Sequence, residues 1–224
     1  MPEHLLITIA VIGGTGPEGT GLALRWARAG YRVIIGSRSS EKAIAHAQAL
    51  TDRLGGTSVV AGMANPEAAR VADLVVLTVP YEAHCTLLEE LRPVLAGKIL
   101  VDVTVPLVPP GVTTVHMPSA GSAGAEAQEV LGEQVSVVSA FQNVSKDHLA
   151  DPDEPINCDV FVCGNNKDAR EQVLKLAEAA GMRGWDAGLI QNAMVAEGLT
   201  SILIGINKQY KVRGAGIRIV GVPR

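Results

Sequence analysis

The sequence predicts an α/β protein with a doubly wound parallel sheet and a smaller C-terminal α+β part. Continuous apolar runs, such as residues 5–12 and 73–79, are typical of strands buried on both faces of a parallel sheet. Segments with helical spacing lie between these runs, and this order implies right-handed crossovers with helices on both faces. After residue 103 the alternation becomes less regular, and a boundary near residues 140–150 separates the smaller part from the first.

The first part of the chain alternates strands and helices in a regular order. We expect strands over residues 5–12, 31–36, 58–61, 73–79 and 98–103. The intervening helices are expected over residues 17–29, 40–54 and 81–95. In the first of these helices, Leu22, Leu24 and Trp26 supply apolar positions for packing against the sheet.

The regular alternation ends at residues 104–119, which contain Pro106, Pro109, Pro110 and Pro118. These prolines predict a structured loop, because proline lacks the N–H group that a helix interior or a central strand requires. Beyond it we expect helices over 120–131, 167–180 and 188–209, strands over 135–141, 159–163 and 182–186, and an exposed acidic segment over 147–155. We predict one domain over residues 1–146 and a smaller one over residues 147–224.

The composition excludes several classes of protein. Of the 224 residues, 47% are hydrophobic and 19% are charged, which is ordinary for a folded globular chain. A net charge of −4 gives no reason to expect binding to nucleic acid or to a membrane surface, and no apolar run is long enough to span a bilayer. The N-terminus lacks the basic stretch of a signal peptide, and Cys85, Cys158 and Cys163 are scattered. We therefore expect a cytoplasmic protein with structural thiols and no metal site.

A glycine-rich turn follows the first predicted strand and opens the first predicted helix. It fits the pattern G-x-G-x-x-G with the residues Gly14, Thr15, Gly16, Pro17, Glu18 and Gly19. The pattern alone is weak, but its position between a buried strand and a helix is diagnostic of a Rossmann dinucleotide site. Glycines let the backbone approach a pyrophosphate, and the N-terminus of the helix offers unpaired N–H groups.

The end of the second strand indicates which dinucleotide is bound. NAD-binding proteins usually place an Asp or Glu there to bind the ribose 2′-hydroxyl group. This chain has Ser37, Arg38 and Lys42 in that region, and these side chains can bind a 2′-phosphate through charge-assisted hydrogen bonds. NADP is therefore favoured over NAD. The alternative is a solvated basic turn in which Ser40 caps the following helix.

The reaction is less visible in the sequence than the nucleotide. We find no Ser-x-x-x-Tyr-x-x-x-Lys pattern, no zinc ligand set and no nucleophile elbow. The histidines at positions 4, 46, 84, 116 and 148 are isolated, and we expect them to be surface or helix residues. An enzyme that reduces a carbonyl group needs a placed proton donor, whereas hydride transfer between two cofactors needs mainly proximity and orientation.

The C-terminal segment is basic and contains no acidic residue after Glu197. Its cationic residues are Lys208, Lys211, Arg213, Arg218 and Arg224. In a chain of negative net charge such a segment suits an anionic ligand, and Gly214 and Gly216 would let the backbone come close to it. A solvated tail is the alternative.

Several motifs occur in the order found in one family. They are residues 13–19, Gly36-Ser37-Arg38, Leu77-Thr78-Val79-Pro80, Val138-Ser139-Ala140-Phe141, Val162-Cys163-Gly164, Asp186-Ala187-Gly188 and residues 214–218. In this ordered set the chain resembles the NADPH-dependent reductases of coenzyme F420, also named F420H2:NADP oxidoreductases, over nearly its whole length. The resemblance implies reversible hydride transfer between NADPH and the 8-hydroxy-5-deazaflavin ring of F420.

The resemblance also implies roles for particular residues. Thr15 to Glu18 would bind the pyrophosphate, and Ser37, Arg38 and Lys42 the 2′-phosphate. Val79 and Val105 would line the dinucleotide, while the stretch from Ala140 to Lys146 would face the nicotinamide and deazaflavin rings. Gln142 and Val144 are the candidates nearest the reacting atoms, and the C-terminal segment would help to hold the deazaflavin.

One departure from the family and several alternatives stay open. Some members carry a histidine where this chain has Gln142, so a titrating role at that position is in doubt. The alternative functions are another small NADP-dependent reductase, acting on imines or ferric iron, and a non-catalytic module that senses NADP(H). The long apolar helix that starts near residue 188 indicates either the interface of a homodimer or a core helix.

Overall fold

The structure is a computed structural model that describes residues 7–56 and 60–222. The start of the first expected strand, the first two residues of the third, and Arg224 of the basic segment lie outside the described residues. No helix in the described part of the chain is both long and apolar enough to cross a membrane.

The described residues form eight strands and eight helices. The strands are β1 (Thr8–Ile12), β2 (Arg32–Ser37), β3 (Val60–Ala64), β4 (Leu74–Leu77), β5 (Ile99–Asp102), β6 (Ser136–Ser139), β7 (Asp159–Gly164) and β8 (Arg183–Asp186). The helices are α1 (Pro17–Arg28), α2 (Ser40–Arg53), α3 (Asn65–Val71), α4 (Tyr81–Leu95), α5 (Ala123–Leu131), α6 (Lys146–Leu149), α7 (Lys167–Ala179) and α8 (Ala193–Tyr210).

All eight strands belong to one sheet in the order β3-β2-β1-β4-β5-β6-β7-β8. Every neighbouring pair is parallel except β6 and β7, which are antiparallel. This sheet confirms the predicted doubly wound Rossmann fold. The strand order reverses between β1 and β4, so a crevice opens at the carboxyl ends of these two strands. The predicted boundary at residue 146 falls between β6 and β7, where the pairing changes direction, and it stays a prediction.

Two apolar clusters cover the two faces of the sheet. Ile9 and Val11 of β1 pack into one cluster, and Ala10 and Ile12 of the same strand pack into the other. All four side chains are fully buried. Because both faces of the strand are covered, its sequence shows a continuous apolar run rather than alternation.

The structure differs from the predicted elements at three places. The sequence pattern predicts neither α3, which has only seven residues, nor α6, whose single turn begins one residue before the expected exposed segment. The last helix begins at Ala193 rather than near residue 188, because Gly188 has a φ of 85° and a 3-10 turn precedes the helix. The predicted loop is confirmed, since no helix or strand lies between β5 and α5.

Candidate active site

The glycine-rich turn joins β1 to α1 in a tight geometry. Gly13 has a φ of 73°, and the N–H of Gly16 donates to the carbonyl oxygen of Gly13 at 3.0 Å. A Cβ atom on Gly14 would lie 2.6 Å from the carbonyl oxygen of Val11, so no side chain fits there. Pro17 is the first residue of α1, and no side chain caps this end of the helix. The first N–H groups of α1 are therefore available to an anion.

Glu18 is the charged residue of the glycine-rich turn. It is half-buried, and burial raises its pKa to about 8, although the charge of Lys146 acts in the opposite direction. At neutral pH Glu18 is therefore largely protonated. A neutral Glu18 does not repel an anion bound at the N-terminus of α1, whereas an ionised carboxylate would.

A cavity of about 890 Å³ opens at the carboxyl edge of the sheet beside the glycine-rich turn. Its walls come from the N-terminus of α1, the ends of β4 and β5, the loop after β5, the turn after β6, and α8. Eight of the residues predicted from the sequence line it: Gly16, Pro17, Glu18, Val79, Val105, Gln142, Val144 and Lys146. The structure thus brings together residues that are up to 130 positions apart in the sequence, from Gly16 to Lys146.

Some of the predicted site residues do not line this cavity. Gly14 and Gly19 belong to the turn but lie on its inner side, where they permit close packing against Val11 and Thr78. Thr15 is exposed and faces a smaller cavity of about 410 Å³ that also contacts Lys146. Ala140 is fully buried in one of the two apolar clusters, behind the wall of the cavity.

The three residues predicted to bind the 2′-phosphate lie at the carboxyl end of β2. Ser37 is buried, and its hydroxyl oxygen accepts from the N–H of Ser39 at 3.4 Å, whereas Arg38 and Lys42 are exposed. Ser39 caps α2 by accepting from the N–H of Lys42 at 3.3 Å, so the cap is not Ser40, which the alternative interpretation of this turn had named. Ser40 is the first residue of the helix, so the preceding residue, Ser39, which is in extended conformation, is the N-cap.

The turn after β6 forms the inner wall of the cavity. Phe141 has a φ of 75°, which is uncommon for a residue with a side chain, and its ring packs against Trp26. The next residue, Gln142, donates from Nε2 to the carbonyl oxygen of Asp102 at 2.8 Å and to the hydroxyl of Ser139 at 2.7 Å. These two bonds fix the orientation of the Gln142 amide and leave its oxygen unpaired.

Three buried acceptor atoms in the cavity wall have no hydrogen-bond partner. They are Oγ1 of Thr104, Oε1 of Gln142 and Oδ1 of Asn143. Buried polar atoms are nearly always paired, so an unpaired set in one wall indicates a ligand that supplies donors. A nicotinamide carboxamide and a deazaflavin ring both carry N–H donors on otherwise apolar surfaces. The residues present therefore fit both groups.

Behind this wall lies a polar network that the sequence analysis missed. His84 of α4 is fully buried, and its Nε2 atom lies 2.7 Å from Oδ2 of Asp102. Burial opposes a charge on His84, but Asp102 and Glu126 outweigh it and raise the pKa of the imidazole. The other oxygen of Asp102 accepts from the N–H of Thr104 at 3.0 Å. The expectation that this histidine is isolated was wrong, because its partners come from β5 and α5.

The basic C-terminal segment runs beside the cavity. Ala215 lines the cavity, and its N–H donates to Oδ1 of Asn207 at 2.9 Å. The carbonyl oxygen of Ile217 accepts from the N–H of Asp159 at 2.8 Å, which attaches the segment to the start of β7. Arg213 and Arg218 are exposed on either side of this attachment.

Proteins that bind a dinucleotide across a parallel sheet place it in the crevice where the strand order reverses. The cavity occupies that crevice, and three of the residues in its wall carry oxygens without a hydrogen-bond partner. The fold and the site together define a dinucleotide-dependent oxidoreductase. Residues 8–106 match the sequence profile of the family described as NADP oxidoreductase coenzyme F420-dependent, and the chain belongs to this family.

Comparison with individual proteins agrees with this assignment. The chain is 42% identical to an F420-dependent NADP reductase of Methanothermobacter thermautotrophicus, covering 100% of this chain and 99% of the relative. It is 40% identical to an F420-dependent NADP reductase of Methanocaldococcus jannaschii, covering 96% of this chain and 98% of the relative. A crystal structure from Arthrobacter sp. FB24, provisionally assigned as an F420-dependent NADP reductase, superposes with a TM-score of 0.78 at 27% identity over 96% of this chain and 99% of the other. The resemblance predicted from the motifs is confirmed.

Proposed function

We propose that this protein transfers a hydride reversibly between NADP(H) and coenzyme F420. One observation carries the proposal: the apolar cavity beside the glycine-rich turn has three unpaired acceptors in its wall, which suit two stacked rings with N–H donors. The near-full-length relatives named as F420-dependent NADP reductases support the same reaction.

Different residues of the chain bind different parts of the two cofactors. When bound, the reduced nicotinamide supplies a hydride and the deazaflavin accepts it. The N–H groups at the start of α1 bind the pyrophosphate, and Arg38 and Lys42 bind the 2′-phosphate. Val79, Val105 and Val144 exclude water from the space between the rings.

The wall of the cavity orients the rings, and the hydride step itself takes no proton from it. Gln142 is a neutral amide whose two donor bonds fix its orientation and leave its buried oxygen without a partner. No histidine lines the cavity in the part of the chain that the structure describes. Hydride transfer between two rings requires a separation of about 3–3.5 Å between the reacting carbons. The proton that completes the reduced deazaflavin then comes from solvent.

The test is a spectroscopic assay with the purified protein. Oxidised F420 is mixed with NADPH, the loss of its visible absorbance is followed, and NADH is used for comparison. We expect rapid bleaching with NADPH and slow bleaching with NADH. If the protein binds NADPH without bleaching F420, the proposal fails. Imines and ferric chelates then test the two alternative reductases, and binding without turnover of any acceptor would indicate a sensing module.

We also propose that the protein works in the cytoplasm as a homodimer and does not bind nucleic acid. Free cysteines and a negative net charge support the cellular location and the absence of a nucleic-acid partner. Apolar side chains exposed along α8, among them Val195 and Ile202, support a subunit interface.

The basic C-terminal segment near Ala215 is proposed to hold the anionic side chain of F420.

A further inference from the structure

A second group of chemically active side chains lies behind the cavity, between α4 and α5. His84 and Cys85 are consecutive in α4, and Glu126 lies in the first turn of α5. Nδ1 of His84 lies 3.5 Å from Oε2 of Glu126 and 4.0 Å from the sulfur of Cys85. The three ligand atoms all lie within 4.8 Å of one another. The hydride transfer proposed above uses none of them.

These distances and donor types match a metal site. Zinc bonds of about 2.0–2.3 Å to nitrogen, sulfur and oxygen place neighbouring ligand atoms about 3.3–3.7 Å apart in a tetrahedron. The 3.5 Å separation already fits, and the other two separations are no longer than 4.8 Å. An imidazole, a thiolate and a carboxylate together favour zinc over magnesium or calcium, which prefer oxygen ligands only.

The orientation of His84 is already fixed as zinc ligation requires. Its Nε2 atom pairs with Asp102 at 2.7 Å, which leaves Nδ1 directed at Glu126 and Cys85. A carboxylate on the far nitrogen is the usual outer partner of a metal-bound histidine. Without an ion, burial and a hydrogen-bonding contact with Glu126 raise the pKa of the Cys85 thiol to about 11, so the ion must displace this proton. Oε2 of Glu126 is also buried without a hydrogen bond that has acceptable geometry.

We propose that His84, Cys85 and Glu126 bind one Zn²⁺ ion, with Asp102 orienting the histidine from outside the coordination sphere. The three protein ligands leave a fourth position for water. Coordination requires the Cys85 thiolate, so binding releases a proton. Because Asp102 also holds Thr104 and the amide of Gln142, the ion stabilises the wall of the cavity.

The test uses Co²⁺ as a spectroscopic probe on the full-length protein after treatment with a chelator. We expect an absorption band of a cobalt–thiolate bond together with the visible bands of a tetrahedral ion, and we expect Zn²⁺ to displace them at one ion per chain. Cys85→Ser removes the thiolate band, whereas the control Cys158→Ser, which changes a buried thiol elsewhere, retains it. Absence of the band from the unmodified protein, or its survival in Cys85→Ser, overturns the proposal.

A second variant tests whether Asp102 orients His84, and a binding measurement verifies that each variant is folded. Asp102→Asn keeps the size of the side chain but weakens its hold on His84, and we expect Zn²⁺ affinity to fall about 10- to 100-fold. NADPH binding by each variant verifies that it is folded. If Cys85→Ser does not fold, Glu126→Gln replaces it, and an unchanged Zn²⁺ affinity in that variant contradicts the assignment of Glu126 as a ligand. None of these readouts depends on F420, so failure here leaves the proposed hydride transfer standing.

Discussion

Arg38 is the residue on which the choice between NADPH and NADH depends most directly. It is exposed at the carboxyl end of β2, where a phosphate on the adenosine ribose would lie in a Rossmann fold. Replacing it with alanine removes a charge-assisted bond worth about 1.5–3 kcal/mol. We therefore predict that Arg38→Ala raises the KM for NADPH about 10- to 100-fold and leaves the KM for NADH nearly unchanged.

A matched control is available on the same strand. Arg32 is also exposed, but it lies at the opposite end of β2. Arg32→Ala should leave both KM values unchanged, which separates a local contact from the general loss of one positive charge. Equal increases for NADPH and NADH in Arg38→Ala would show that Arg38 does not contact the 2′-phosphate.

The sequence reveals residues such as Arg38 because their partners lie within one local motif. It does not reveal His84, whose partners Asp102 and Glu126 are 18 and 42 positions away and belong to different elements. The only local clue is an aspartate at the end of an apolar run. The unpaired acceptors of Thr104 and Asn143 are hidden for the same reason, since unpaired oxygens become visible only when the surrounding chain is in place.

At the scale of elements, the contact between α8 and α5 should make stability depend on pH. Glu197 of α8 is buried and accepts from the N–H groups of Ala123 and Gly124 at 2.6 and 3.1 Å. Burial raises its pKa from 4.5 to about 8 despite these bonds. In the range between these values the folded state holds a proton that the unfolded state releases, so stability falls as pH rises toward 8.

We predict that Glu197→Gln flattens this dependence, because a glutamine cannot titrate. The free energy of unfolding of both proteins is measured with urea at several values between about pH 5 and pH 8. The difference between the two proteins should change with pH in the direction given above. Glu18 has a raised pKa as well, and it contributes equally to both curves, so it cancels in the comparison. Parallel curves would mean that Glu197 is ionised throughout the range.

Glycines inside helices give a second prediction at this scale. A Cβ atom on Gly19 of α1 would lie 2.5 Å from Oγ1 of Thr78 and 2.8 Å from Cα of Gly14. Gly19→Ala should therefore push the glycine-rich turn away from β4, which costs about 1–3 kcal/mol of stability and weakens NADPH binding.

The matched control is Gly205 of α8, where a Cβ atom would meet nothing closer than 3.8 Å. Gly205→Ala should therefore stabilise the protein by about 0.5–1 kcal/mol. Thermal unfolding and NADPH titration distinguish the two, and equal shifts in both variants would contradict this account.

The elements themselves were predictable to different degrees. β1, β4 and β5 are buried on both faces, so each leaves a continuous apolar run in the sequence. The helix α3 leaves little trace, because it has seven residues and packs against the sheet mainly through alanines. Neighbouring elements bury this helix, and its own sequence shows no strong apolar pattern.

For the whole molecule, the sequence is compatible with a core helix or a subunit interface at the last apolar helix, and α8 has both a buried face and an exposed apolar stripe. One face is buried through Ala196 and Leu203, while Val195, Ile202 and Ile206 are 63%, 51% and 37% exposed. Those three exposed positions are spaced seven and four residues apart, so they form one continuous apolar stripe. A stripe of this kind on the surface suits the same stripe of a second copy, related by a twofold axis.

We predict that Val195→Lys converts the proposed homodimer to a monomer. The added charge would be buried against its own copy, and two such charges would face each other without a partner. Sedimentation velocity measures the change in mass, and Val71→Lys is the matched control, because Val71 is 55% exposed on α3, away from the stripe. A dimer that persists in Val195→Lys would show that the interface lies on another surface. An unmodified protein that sediments as a monomer would exclude the homodimer. Comparing F420 reduction by the monomeric variant and by the control then establishes whether each cavity works on its own.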